Sequence, residues 1–257
     1  MKLKIVKIGG KILEHESLLS GFLDDLSQLE GPKVLVHGGG QKASSLATQL
    51  GIPVQMNDGR RVTCEQTLEV ITMVYGGLLN KKVVVQLQSR GCDAIGLSGA
   101  DANLIGAVRR PVADIDYGFA GDISQVNTKR LTSLVDTGLT PVFCAITHDG
   151  NGQLLNTNAD TVAASLAVSL SQQFEVELYY CFELNGVLRD PQQAETVIPH
   201  INKRYYQSLI EEGVVQGGML PKLHNCFDAL EKGVKQIHIG SAAMIKNDNH
   251  LKTTLSL

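Results

Sequence analysis

Residues 5–13 read IVKIGGKIL, an apolar run that carries Lys7 and then stops on Gly9 and Gly10. Side chains alternate across a strand, so Lys7 shares a face with Leu3 and Ile5, the face an interior would claim. An ammonium among apolar groups is costly unless an anion meets it. Two glycines let the backbone turn sharply and come close to a ligand. The strand end therefore reads as one that faces phosphate; a lysine snorkelling to water is the plain alternative.

Strand followed by glycines recurs at residues 33–40, KVLVHGGG. Between the two strands, Leu18, Leu19, Phe22, Leu23, Leu26 and Leu29 fall at helical spacing. Further helical patterns cover 41–50, 65–91, 128–138, 158–171, 203–213 and 221–233. Strand patterns cover 93–99, 140–146, 176–182 and 235–240. Residues 104–126 are rich in Val, Gly and Asp without helical period and suit hairpins or an irregular flap. This β-α alternation predicts an α/β fold, a mainly parallel sheet with helices on both faces. In such sheets ligands bind beyond the carboxyl ends of the strands, where both glycine clusters fall. No repeat or Pro/Ser-rich linker interrupts the pattern, so a two-lobe division must be compact and falls near 170–175.

The 257 residues are 43% hydrophobic and 19% charged, a globular balance with room for a large core. A net charge of -3 points to neither nucleic acid nor an acidic membrane surface. Cys64, Cys92, Cys144, Cys181 and Cys226 are scattered and form no C-x-x-C pair, which argues for a reducing compartment. With no signal-peptide pattern and no bilayer-length apolar stretch, the expected location is cytoplasmic.

Four more clusters carry chemistry. HGGGQKA (37–43) offers backbone N–H groups at a helix start, a ready anion site. Gly38, Gly40 and Ala43 also satisfy a relaxed dinucleotide fingerprint, with Asp58 a poor ribose acid, and an oxyanion loop or a purely structural turn are further readings. In LLNTNAD (154–160), Asn158 and Asp160 suit a helix cap, yet with Asn156 they also form a set able to hold a polar ligand. In GVVQGGMLPKLHN (213–225), Pro221 fits a first helical turn and sets Lys222 near the positive end of the helix dipole, a place that favours an anion. Arg60 and Arg61 in NDGRRVT (57–63) offer planar guanidinium groups for a carboxylate.

Taken in order along nearly the whole chain, KIGG, VHGGG, GRRVT, GLSGAD, PVFCAITHDGNGQLLNTNAD and GGMLPK resemble the motif series of the amino acid kinase family, most closely its branch acting on acylated glutamate. The resemblance implies a three-layer αβα sandwich with an open, mainly parallel sheet, the carbamate kinase-like fold. It implies an N-terminal lobe, 1–172, that binds the acyl amino acid and dimerises, and a C-terminal lobe, 173–257, that binds ATP. By it, Lys7 and Lys222 are the cations on the transferring phosphoryl group, Asp160 orients both, and Gly9, Gly10, Gly39 and Gly40 cradle phosphate. Arg61, Asn156 and Asn158, with Gly39 and Gly40 alongside, hold the substrate. Glu183, Leu184, Asn185, Gly186, Val187, Leu188, Val214, Val215 and Gln216 contact the nucleotide.

The implied reaction is phosphorylation of the γ-carboxylate of N-acetyl-L-glutamate, or N-succinyl-L-glutamate, by ATP, the second step of arginine biosynthesis. Mg²⁺ is held by the ATP phosphates and not by protein ligands. Carbamate, aspartate, UMP and aminoadipate derivatives are the family's other substrate classes, and a non-catalytic nucleotide- or amino-acid-binding regulator is the alternative of another kind. The chain departs from the usual pattern at Glu183, where Asp is common, and at Ala100 and Ala102 in GLSGADANLI. Only six residues precede Lys7, whereas arginine-inhibited members carry a longer N-terminal helix. The resemblance therefore implies a homodimer without arginine feedback.

Overall fold

The computed structural model describes residues 1–57, 59–247 and 249–257; Asp58 lies outside them. An eight-stranded sheet runs through the molecule in the order His200–Asn202, Lys252–Ser256, Gln236–Ser241, Glu175–Phe182, Lys2–Ile8, Lys33–His37, Thr140–Cys144, Ala94–Leu97. From Gln236–Ser241 to Ala94–Leu97 every neighbouring pair is parallel; Lys252–Ser256 joins antiparallel. That last strand and the short His200–Asn202 are additions to the sequence reading, which saw no strand in either place. His200–Asn202 is the edge strand and Lys252–Ser256 lies between it and Gln236–Ser241; both are short, and neighbours supply most of their stabilisation.

Alternation along Lys2–Ile8 divides the interior as expected. Leu3 and Ile5 enter a core with the helices Ala159–Leu170 and Met219–Glu231, through Val162, Leu166, Leu223 and Phe227. Val6 and Ile8 enter the opposite core, built on Glu16–Ser27 and the long helical stretch that begins at Glu65. Burying these apolar faces on both sides of one sheet is the dominant stabilising term and yields the αβα sandwich. Leu18, placed on the helical stripe above, instead faces solvent at 50% exposure.

Two local departures shape the site. The 65–91 helix holds a π-helical section, Thr72–Leu79, between α-helical Glu65–Ile71 and Asn80–Gln88. The strand over 140–146 breaks at Ala145, and Ile146–His148 joins a separate four-stranded sheet with Leu154–Asn156, Ile105–Arg109 and Gly121–Val126. The last two form the antiparallel flap foreseen within 104–126.

Candidate active site

Lys7 sits at the carboxyl end of the central strand, level with Tyr180 and Val36 of its parallel neighbours. Its side chain is 16% exposed, and its Nζ lies 2.7 Å from Asp160 Oδ1. Lys222 Nζ approaches the other oxygen, Oδ2, at 3.6 Å and stands 4.8 Å from the Phe182 ring centroid. The anion that the lysine in the apolar strand requires is thus first an internal carboxylate, which it shares with a second lysine. Burial pushes the Asp160 pKa up, and the charges of Lys7 and Lys222 overcome this and hold it below the ordinary carboxylate value. Two cations on one carboxylate leave an excess positive charge at this end of the sheet.

Asn158 is the N-cap of Ala159–Leu170: its Oδ1 accepts from the Asp160 and Thr161 N–H groups at 2.8 and 3.2 Å. The capping reading of this asparagine therefore holds, and its Nδ2 is the group left for a ligand. Capping sets Asp160 in the first helical turn, where a carboxylate is favoured.

The glycine loop faces this cluster. Gly39 has φ +150°, and a Cβ built there would lie 2.5 Å from Leu79 Cδ1 and 2.9 Å from Tyr75 Cδ1. Only glycine lets the backbone pack this close to the π-helical section. Gly40 opens the helix Gly40–Gln49, so its N–H lies outside the helical ladder, as does that of Gly10 at the start of Gly10–Glu14. Gly9 is different: its N–H donates to the Cys181 carbonyl at 2.9 Å and is committed to the backbone. His37 braces the loop from below. Its Nδ1–H donates to the Gly38 carbonyl at 2.8 Å, and its Nε2 accepts from Asn80 Nδ2 at 3.1 Å. Burial depresses the His37 pKa to about 4 against the opposing pull of Gly38, which keeps the ring neutral.

Arg61 is 91% buried and holds the same loop: its Nη2 donates to the Gly40 carbonyl at 2.8 Å and to Ser44 Oγ at 2.6 Å. Asn156 is held by Thr63, whose hydroxyl donates to the Arg61 carbonyl at 3.1 Å and accepts from Asn156 Nδ2 at 3.0 Å. A cavity of about 1000 Å³ is lined by Gly39, Gly40, Arg61, Asn156, Asn158, Asp160 and Lys222 together.

Not every residue singled out in the sequence reaches it. Glu183 lies in a separate crevice and pairs with Lys11 at 2.9 Å. Val187, Leu188 and Val215 are buried in or beside the core, and the Val187 N–H donates to Thr253 Oγ1. Leu184, Asn185, Gly186, Val214 and Gln216 are likewise outside the cavity lining, as are Gly9 and Gly10, and Lys7 is joined to it through Asp160. Ala100 and Ala102 are on the surface or near it and outside the cavity, so the two departures in GLSGADANLI do not touch this site. Tyr75 and Thr63 escaped the sequence reading because their stretch reads as ordinary helix and turn; nothing periodic marks either hydroxyl.

The family model described as the amino acid kinase family matches residues 2–241. The chain belongs to the amino acid kinase family. It is 52% identical to an acetylglutamate kinase of Bacteroides fragilis over 247 residues, 96% of this chain and 95% of the relative. Among solved structures, an N-acetylglutamate synthase from Neisseria gonorrhoeae, complexed with coenzyme A and N-acetyl-glutamate, superposes with a TM-score of 0.85 at 25% identity. The match covers 99% of this chain and 59% of that one. A carbamate kinase from Giardia lamblia bound to AMP-PNP aligns with a TM-score of 0.67 over 99% of this chain and 98% of its own, at 12% identity, a likeness of fold alone. The family's sandwich fold, expected from the motif series, is the fold observed.

Proposed function

We propose that the protein transfers the γ-phosphoryl group of ATP to the γ-carboxylate of N-acetyl-L-glutamate, forming the acyl phosphate and ADP, as in arginine biosynthesis. The observation that carries this reading is the Lys7–Asp160–Lys222 cluster in a chain half identical to acetylglutamate kinases. A carboxylate oxygen is already a nucleophile, so no general base is required. It attacks the γ-phosphorus while the bond to the ADP oxygen breaks. The protein's task is to bring two anions into line and neutralise the charge spread over the transferring group. Lys7 and Lys222 supply the cations, and Asp160 fixes their positions. The N–H groups of Gly10 and Gly40, free at helix starts, are assigned to phosphate oxygens, and Arg61, Asn156 and Asn158 to the substrate.

Mg²⁺ on the ATP phosphates supplies further charge neutralisation when bound. Among the described residues no three His, Cys, Asp or Glu side chains gather to hold a metal. Asp160 already serves two lysines, and the cation is read as carried by the nucleotide phosphates. We read residues 1–172 as the substrate lobe and 173–257 as the nucleotide lobe, with backbone of 183–188 and 214–216 along ATP. Exposed Met73, Leu78 and Val85, on one helical stretch, support a homodimer through that surface. Five unpaired cysteines support a cytoplasmic setting. No helix among the described residues is long and apolar enough to cross a membrane.

The deciding assay follows ADP release with Mg-ATP and one phosphoryl acceptor at a time, with hydroxylamine to trap the acyl phosphate. Turnover is expected with N-acetyl-L-glutamate, N-succinyl-L-glutamate serves as the competing acceptor, and L-glutamate and L-aspartate should be inert. Preference for either unacylated amino acid would overturn the reading.

A further inference from the structure

The cavity wall contains a polar side chain that the motif series does not supply. Tyr75 belongs to the π-helical section and is 94% buried. Its ring packs on Gly39, and its hydroxyl and Arg61 Nη2 both lie 3.7 Å from the point a Gly40 Cβ would occupy. The phenol thus flanks the glycine loop beside the guanidinium, and the residue lines the cavity. Burial raises its pKa against the charge and hydrogen bonding of Arg61, so the proton stays on oxygen at neutral pH. A guanidinium has donors only. Whatever Arg61 gives the phenol oxygen, the O–H proton itself has no acceptor among the hydrogen bonds of the described residues. Tyr75 lines the cavity, where a ligand can supply that acceptor, and its hydroxyl stands next to the cation expected to take a carboxylate.

We propose that Tyr75 is a substrate-binding residue whose O–H donates to the substrate carboxylate bound by Arg61. The inference rests on the acylglutamate kinase reading and extends its binding set by one neutral donor. Paired with Arg61, it lets one carboxylate be met by two donors of different kinds, which favours a fixed orientation over simple charge attraction. The helical register supports this. The π-helical section sets Tyr75 and Leu79 against Gly39 while Asn80 reaches His37, so one stretch both shapes the loop and presents the donor.

Steady-state kinetics of wild type and Tyr75→Phe test this, since phenylalanine keeps the ring that packs on Gly39. The KM for N-acetyl-L-glutamate should rise about tenfold or more, the scale for a hydrogen bond to a charged group. The KM for ATP and kcat should stay within about twofold. In an Arg61→Ala background the same change should add less than it does alone, because both groups serve one carboxylate. An unchanged KM for N-acetyl-L-glutamate, an equal rise for ATP, or full additivity with Arg61→Ala would each overturn the inference while wild-type turnover still upheld the kinase reading. Absence of turnover by the wild type would overturn the reading and the inference with it.

Discussion

The Thr63 hydroxyl accepts a hydrogen bond from Asn156 Nδ2 at 3.0 Å and donates to the Arg61 carbonyl at 3.1 Å. One fully buried hydroxyl therefore ties together two residues of the candidate substrate site that lie on different elements. Thr63→Val keeps the shape and leaves both partners unsatisfied, a change worth about 1–3 kcal/mol. The melting temperature should drop by several degrees and the KM for N-acetyl-L-glutamate should rise, with the KM for ATP unmoved. Thr63→Ser, which retains the hydroxyl, should restore both. Equal KM values in wild type and the valine variant would remove Thr63 from the site.

Lys7 should carry transition-state charge. Lys7→Ala is expected to lower kcat by roughly 10²-fold or more, the scale of losing one such donor; a kcat within a few-fold of wild type would show that the lysine serves only Asp160. Asp160→Asn should also lower kcat, because the two lysines lose the carboxylate that sets their positions. The Asp160 pKa is depressed in the fold, so its contribution to stability is complete above its ordinary value of 3.8 and disappears as pH falls through the lower folded value. The asparagine variant should lack that acid limb in unfolding titrations.

Gly39→Ala should damage both stability and rate. The new Cβ would sit 2.5 Å from Leu79 Cδ1, in a backbone conformation that L side chains rarely adopt. Overpacking of this kind costs about 1–3 kcal/mol, and the loop must shift away from Leu79 and Tyr75, which alters its position relative to the lysines. Adding Leu79→Ala should recover part of the stability, since Tyr75 still stands 2.9 Å away. Calorimetric melting of the single and double variants checks this; full recovery would mean that Leu79 alone sets the constraint.

His37 predicts a pH effect near neutrality. Burial lowers its folded pKa to about 4, while the unfolded chain takes up a proton near 6.5. Between these values the unfolded state binds more protons, so stability falls as pH falls from about 6.5 toward 4. Urea midpoints at pH 7.5 and 5 should differ in the wild type, and the difference should shrink in His37→Gln. An unchanged difference would assign the slope to other groups.

Much of the architecture was legible because it repeats locally. The β-α alternation gave the parallel sheet, and period-two alternation correctly set Lys7 on the face of Leu3 and Ile5. The residues beyond the sheet proper were less so. The Lys252–Ser256 strand is defined by its partner Gln236–Ser241, and the Ala145 break by a second sheet that claims Ile146–His148. Asn158 was read both as cap and as ligand, and the cap alone accounts for its Oδ1.

By itself the sequence determined most of the elements, where glycines end the strands, and that Lys7 shares an apolar face where it must either meet an anion or reach water, since side-chain period and backbone freedom act between near neighbours. The family resemblance had already implied that Asp160 serves Lys7 and Lys222, and the structure gives the contacts; tertiary structure alone decided that Gly9 gives its N–H to Cys181 and that Thr63 and Tyr75 stand beside Arg61. Those contacts join elements distant in the chain. They depend on strand order and helix packing, which bring groups within hydrogen-bond reach without leaving any periodic trace in the sequence.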